Sequence, residues 1–147
     1  MKSNKFILIV TYAVRFILGF LFLYASIDKM INPARFAEVV YHYRVLPIEL
    51  LNIVALLVPW IEAVLGVTLL LGIWIETSAF ILSSITLFFI VLMISAIARG
   101  LNIECGCFTL DPEGSLVSWK RVIEDFFMFS GSMFLFFRAT CRKQLEK

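Results

Sequence analysis

Four apolar stretches constrain this chain more than anything else in it. They lie at residues 6–27, 50–71, 78–98 and 119–137, and each is close to the roughly 20 residues that a helix needs to cross a bilayer. A water-soluble fold of 147 residues cannot bury four such segments. The remainder of the chain cannot supply a polar skin either: 61% of residues are hydrophobic, 16% are charged and the mean hydropathy is +0.95. These values exclude a soluble enzyme, a disordered tail and a nucleic-acid module. The net charge of +2 is too small to indicate a polyanionic partner. The expectation is a single integral membrane domain over residues 1–147. Its fold class is all-α, an up-down bundle of four transmembrane helices whose solvent is the lipid bilayer.

The connections differ in kind. Lys2 and Lys5 give a basic start, but the first apolar run is too long for a typical signal sequence, and it reads as an uncleaved span. Asn32-Pro33 is a stop-and-restart signal, with Pro33 at the first position of a new helix. Beyond it, Phe36, Val39, Val40, Tyr43 and Leu46 recur at helical spacing with polar residues between them. That pattern predicts a short interfacial amphipathic helix between the first and second spans, ended by Pro47. Pro59 interrupts the second span, which a membrane helix tolerates when neighbours satisfy the freed carbonyl. Residues 72–77 form a tight turn, so the second and third spans are antiparallel neighbours. Residues 99–118 make the longest polar connection.

An even number of spans puts both termini on one side. Six lysines and arginines lie in the tails and six on the opposite side, so the simple count ties. The tails concentrate theirs in less sequence. The expected orientation therefore has the termini in the cytoplasm, the larger loops outside, and the chain in the cell's inner (cytoplasmic) membrane.

Ionisable residues inside an apolar span attract functional interest because they are costly there. Arg15 lies nine residues in from Phe6, and Glu62 nine residues from Leu71. Nine residues correspond to about 13 Å, near the bilayer middle. Antiparallel helices with level ends would bring the two together, as a register-fixing pair or as a proton relay. At the start of the fourth span, Arg121 and Asp125 are four apart, as are Lys120 and Glu124, so each pair shares a helix face. Trp119 beside them reads as an interfacial anchor. The alternative is that Trp119, Arg121 and Asp125 line a site under the neighbouring loop. The 15 phenylalanines read as lipid-facing surface or as walls for a flat apolar ligand such as a quinone. His42, the single histidine, fits an interfacial position better than a base or a ligand.

Cys105-Gly106-Cys107 is the sharpest motif. Two thiols separated by one glycine can close a small ring, and Gly106 permits the backbone angles it needs. Such a ring departs from relaxed disulfide geometry and is more oxidising than a structural bridge. As a staple it would gain almost nothing, because the loop it closes is minimal. Thiol–disulfide exchange, capture of a soft metal such as Cu(I), and an inert thiol pair all stay open at this point. No other metal ligands are proposed. Cys141 lies beyond the fourth span, on the opposite side of the membrane, and reads as a bystander or a lipidation site.

With these residues in view, the chain resembles the DoxX/MauE family of small four-helix membrane proteins. The resemblance rests on Arg15-x-x-Leu18-Gly19-x-x-Phe22 with Ala25 and Lys29, and on Pro59-x-x-Glu62-x-x-x-Gly66 followed by Gly72. Its strongest piece is Cys105-Gly106-Cys107-Phe108 followed by Trp119, Arg121 and Asp125. Thr109 stands where family members often carry glycine. The resemblance implies a role in maturing a disulfide-rich periplasmic dehydrogenase subunit beside a thioredoxin-like partner, or in thiol oxidoreductase systems that reduce quinone. The expectation is thus a membrane component of a thiol–disulfide oxidoreductase system. Cys105 and Cys107 would exchange with an extracytoplasmic partner, and electrons would pass to a quinone near Trp119, Arg121 and Asp125. The alternative is a non-catalytic partner subunit, or a soft-metal-binding membrane protein using the same cysteine pair.

Overall fold

The computed structural model describes residues 2–101 and 119–145. Five helices account for nearly all of them: α1 (Lys2–Ile31), α2 (Pro33–His42), α3 (Ile48–Leu71), α4 (Ile75–Ala98) and α5 (Trp119–Leu145). No strand occurs among the described residues. Asn32 and Pro33 separate α1 from α2 as their chemistry requires, with the proline in the first turn of α2. Pro59 is buried within α3, which runs through it without a break. Gly72 caps α3 at φ 78°, and Trp74 follows at φ 48°. The connection to α4 is therefore shorter than the sequence suggests. Gly72 takes the left-handed conformation that only glycine adopts at little cost.

The four long helices form two broad antiparallel pairs, α1 with α3 and α4 with α5, joined by contacts of α3 with α4 and of α1 with α5. One core cluster sits between the pairs and includes Leu18, Phe22, Leu69, Leu82 and Leu135. The second lies at the end where α2 folds back. There Phe36, Val39, Val40 and Tyr43 pack on Ala55 of α3, Met93 and Ala96 of α4 and Val122 of α5. The apolar face of α2 is thus turned into the bundle, with Phe36 fully buried. Arg99 ties this end together by donating from Nη2 to the Tyr43 carbonyl at 2.6 Å.

The outer surface is apolar on all four long helices. Phe20 and Tyr24 of α1, Ile53 and Val64 of α3, Phe80 and Val91 of α4, and Phe126 and Phe127 of α5 are exposed. Continuous apolar surface of this extent calls for a lipid environment. Three helices, α1, α3 and α4, are long and apolar enough to cross a membrane, as expected of a multi-pass membrane protein. The expected fourth span is not among them. In α5 the run between Asp125 and Arg138 is only twelve residues, which is about 18 Å of helix.

Candidate functional site

The site starts from how closely α1 and α3 approach. Gly19 and Gly66 face each other across that interface. A Cβ on Gly66 would lie 3.1 Å from the Gly19 carbonyl oxygen and 3.2 Å from the Leu23 nitrogen. The two backbones are nearly in contact, which small residues permit. This pins the register and sets the level of every charged residue on the two helices.

Glu62 lies one turn from Gly66 and faces α1. Its partner there is Lys29, whose Nζ donates to Oε2 at 2.8 Å. Helical side chains lean toward the N-terminus of their own helix. Lys29 therefore reaches back along α1 to the level of Glu62. Both side chains are only 3% exposed. The ammonium also lies 5.3 Å from the centre of the Phe36 ring and 5.5 Å from that of Phe89, within range of cation–π attraction.

Arg15 is not the partner of Glu62. Its guanidinium packs against Gly72, where a Cβ would meet Nη1 at 2.8 Å. It also stacks near the rings of Tyr12 and Phe16, and its buried Nε makes no hydrogen bond. Gly72 is about 15 Å along the helix from Glu62. The expected pairing assumed level helix ends. In fact α1 runs on to Ile31 and is staggered against α3 by roughly two turns.

The Lys29–Glu62 pair opens on a small cavity of about 30 Å³ at the seam between the helix pairs. Phe22, Ala25, Ile85, Thr86, Phe89 and Met128 line it, together with Asp125. Asp125 is 5% exposed and comes from α5. Helices α1, α3 and α5 thus contribute to one cluster of buried ionisable side chains, beside a space that α4 also lines and that has room for about one or two waters. The Thr86 hydroxyl donates to the Leu82 carbonyl at 2.8 Å, leaving its oxygen available as an acceptor.

The residues expected to share a quinone site divide. Asp125 lines the small cavity, whereas Arg121 donates from Nη1 to Glu124 Oε2 at 2.8 Å. Arg121 and Glu124 line a separate open groove of about 400 Å³ with Leu21, Phe127 and Met128. Trp119 is exposed and lines neither space. Cys105 and Cys107 lie outside the described residues. Cys141 is exposed with a free thiol.

Lys29 lies beyond the first apolar stretch, 6–27, and its pairing with Glu62 does not follow from that span. A signal for it exists. Leu18, Phe22 and Ala25 are buried at helical spacing, and Lys29 continues the same line.

Residues 6–138 match the family model described as methylamine utilisation protein MauE. The chain belongs to the MauE family. It is 32% identical over 117 residues to the methylamine utilization protein MauE of Paracoccus denitrificans. That alignment covers 79% of this chain and 62% of the relative, so the chain spans less than two thirds of the relative's length. No solved structure matches the chain. The family membership agrees with the all-helical fold and with the resemblance read from the sequence. Glu62, Lys29, Asp125, Gly19 and Gly66 all fall inside the matched residues.

Proposed function

We propose that this protein is the membrane component of a thiol–disulfide oxidoreductase system, with Cys105 and Cys107 as the exchanging pair. The observation that carries the reading is the Cys105-Gly106-Cys107 tripeptide within residues 102–118. In the chain it falls between α4 and α5, whose flanking residues Ala96 and Val122 belong to the core cluster that α2 joins. Asp125 lies six residues into α5, about 9 Å along the helix. The polar centre is therefore close to where the cysteine segment is attached.

In the proposed reaction a thiolate of the partner attacks the Cys105–Cys107 disulfide to form a mixed disulfide. The partner's second thiol then displaces it. The partner loses two electrons and two protons and gains a disulfide, and Cys105 and Cys107 become two thiols. Reoxidation passes those electrons and protons to a membrane quinone, the two-electron oxidant class available in a bilayer. The groove beside Arg121 has the volume and the apolar walls for a quinone ring, and the guanidinium can donate to a carbonyl oxygen. Trp119 and Asp125 do not belong to that groove.

The partner is a thioredoxin-like or otherwise cysteine-bearing protein outside the cytoplasm. The Paracoccus relative is named a methylamine utilization protein, which supports a role for the system in methylamine utilisation. In this reading α5 is a fourth span, α2 lies at the outer interface of the inner membrane, and both termini face the cytoplasm.

A thiol titration of the purified protein tests the reading. Reductant should expose two thiols beyond Cys141, and Cys105→Ser/Cys107→Ser should abolish oxidation of a dithiol peptide. The reading fails if reductant exposes nothing new, or if the serine variant oxidises the peptide at the wild-type rate.

A further inference from the structure

A second polar cavity lies at the opposite end of the bundle, where α1 begins and α5 ends. Its volume is about 210 Å³, several times that of a water molecule. Leu8 and Thr11 of α1, Ile75 of α4, and Leu135, Arg138 and Arg142 of α5 line it, with Ala139 and Cys141. Arg138 and Arg142 are one turn apart and so project on one face of α5. Arg142 has a partner within the protein, and a guanidinium with five N–H donors keeps others for a ligand. The nearby Glu76 accepts a hydrogen bond from the Thr140 hydroxyl at 3.4 Å. That contact places the last turns of α5 beside the first turn of α4.

The level of the cavity follows from the same contact. Trp74, immediately before α4, is 77% exposed, as expected of a residue in the aromatic belt of a membrane interface. The cavity thus combines two guanidiniums, apolar walls and an interfacial depth. Guanidinium forks match phosphate oxygens in geometry as well as in charge. Basic pockets between membrane helices suit anionic headgroups, and Leu8, Ile75 and Leu135 offer surface for an acyl chain. We infer that this cavity binds the phosphate of an anionic phospholipid through Arg138 and Arg142. This site is independent of the cysteine chemistry proposed above.

Cys141 lines the cavity and is exposed, so occupancy should shield its thiol. The test reconstitutes the full chain in nanodiscs of phosphatidylcholine, with or without phosphatidylglycerol. Modification of the Cys141 peptide by a maleimide is followed by mass spectrometry. Phosphatidylglycerol should slow the modification by about tenfold. Arg138→Gln/Arg142→Gln should remove the slowing, and Arg138→Lys/Arg142→Lys should keep most of it. Inorganic phosphate added to phosphatidylcholine discs should leave the rate unchanged. Protection by inorganic phosphate alone would reassign the site to the free anion and overturn the lipid. Equal rates for the wild type in both discs would overturn the site itself. So would undiminished protection in the glutamine variant. The lysine variant and the wild-type lipid dependence carry the test even if the glutamine variant is poorly folded.

Discussion

At the scale of single residues, the Lys29–Glu62 pair decides most. A charge held near the bilayer middle costs several kcal/mol unless it is paired. Each member of this pair is almost completely buried and bonded to the other at 2.8 Å. Removing one member leaves a charge with nothing to offset its lost hydration. We expect Lys29→Met to destabilise the protein by about 3–5 kcal/mol, as for other broken buried pairs. Lys29→Met/Glu62→Met should be milder than the single change, because neither member of the pair is then left without the other. Thermal denaturation in detergent reads both variants. A double variant no more stable than the single would mean that the pairing is not what stabilises this region. Asp125 of α5 lines the same cavity.

At the scale of helices, glycines control how near two backbones can come, and their environments differ. A Cβ at Gly66 would press on backbone atoms of α1 at 3.1 and 3.2 Å, which cannot yield without moving the helix. A Cβ at Gly131 would meet only side-chain tips, Leu18 Cδ1 at 3.3 Å and Val14 Cγ1 at 3.4 Å. Gly66→Ala should therefore cost about 1–3 kcal/mol through forced separation of α1 and α3. Gly131→Ala should be close to neutral, since the better helix propensity of alanine, about 1 kcal/mol, offsets minor repacking. Melting temperatures of the two variants check the contrast, and a reversed order would contradict this packing.

At the scale of the whole molecule, α5 decides the number of spans. It is 27 residues long, about 40 Å, packs along α4 and exposes Phe126, Phe127 and Phe137. Yet charges at both ends leave it a short apolar centre. If α5 crosses the bilayer, Cys141 and the Gly72–Trp74 turn face the same compartment. A membrane-impermeant maleimide applied to oriented vesicles of Trp74→Cys should then modify positions 74 and 141 from one side only. Modification from opposite sides would contradict the packing of the end of α5 beside the start of α4. The measurement also sets which compartment holds residues 102–118, and with them the cysteine pair.

Membrane character, the all-helical class, the helix after Asn32-Pro33 and the tight turn at Gly72 were legible in the linear chain. Each depends on local quantities: the length of an apolar run, the fixed φ of proline, the freedom of glycine. Glu62 was likewise legible as inward-facing, because a charge in an apolar run has few other places to go. Which cation meets Glu62 was not legible, because that depends on the stagger between two helices. The stagger is set by the seating of Gly19 against Gly66, a contact between distant parts of the chain that no local pattern encodes. The same holds for the separation of Arg121 from Asp125 into different cavities. The sequence by itself determined which groups must leave water; the tertiary packing alone decided which of them meet, because partnership depends on helix register and a shift of one turn exchanges one neighbour for another.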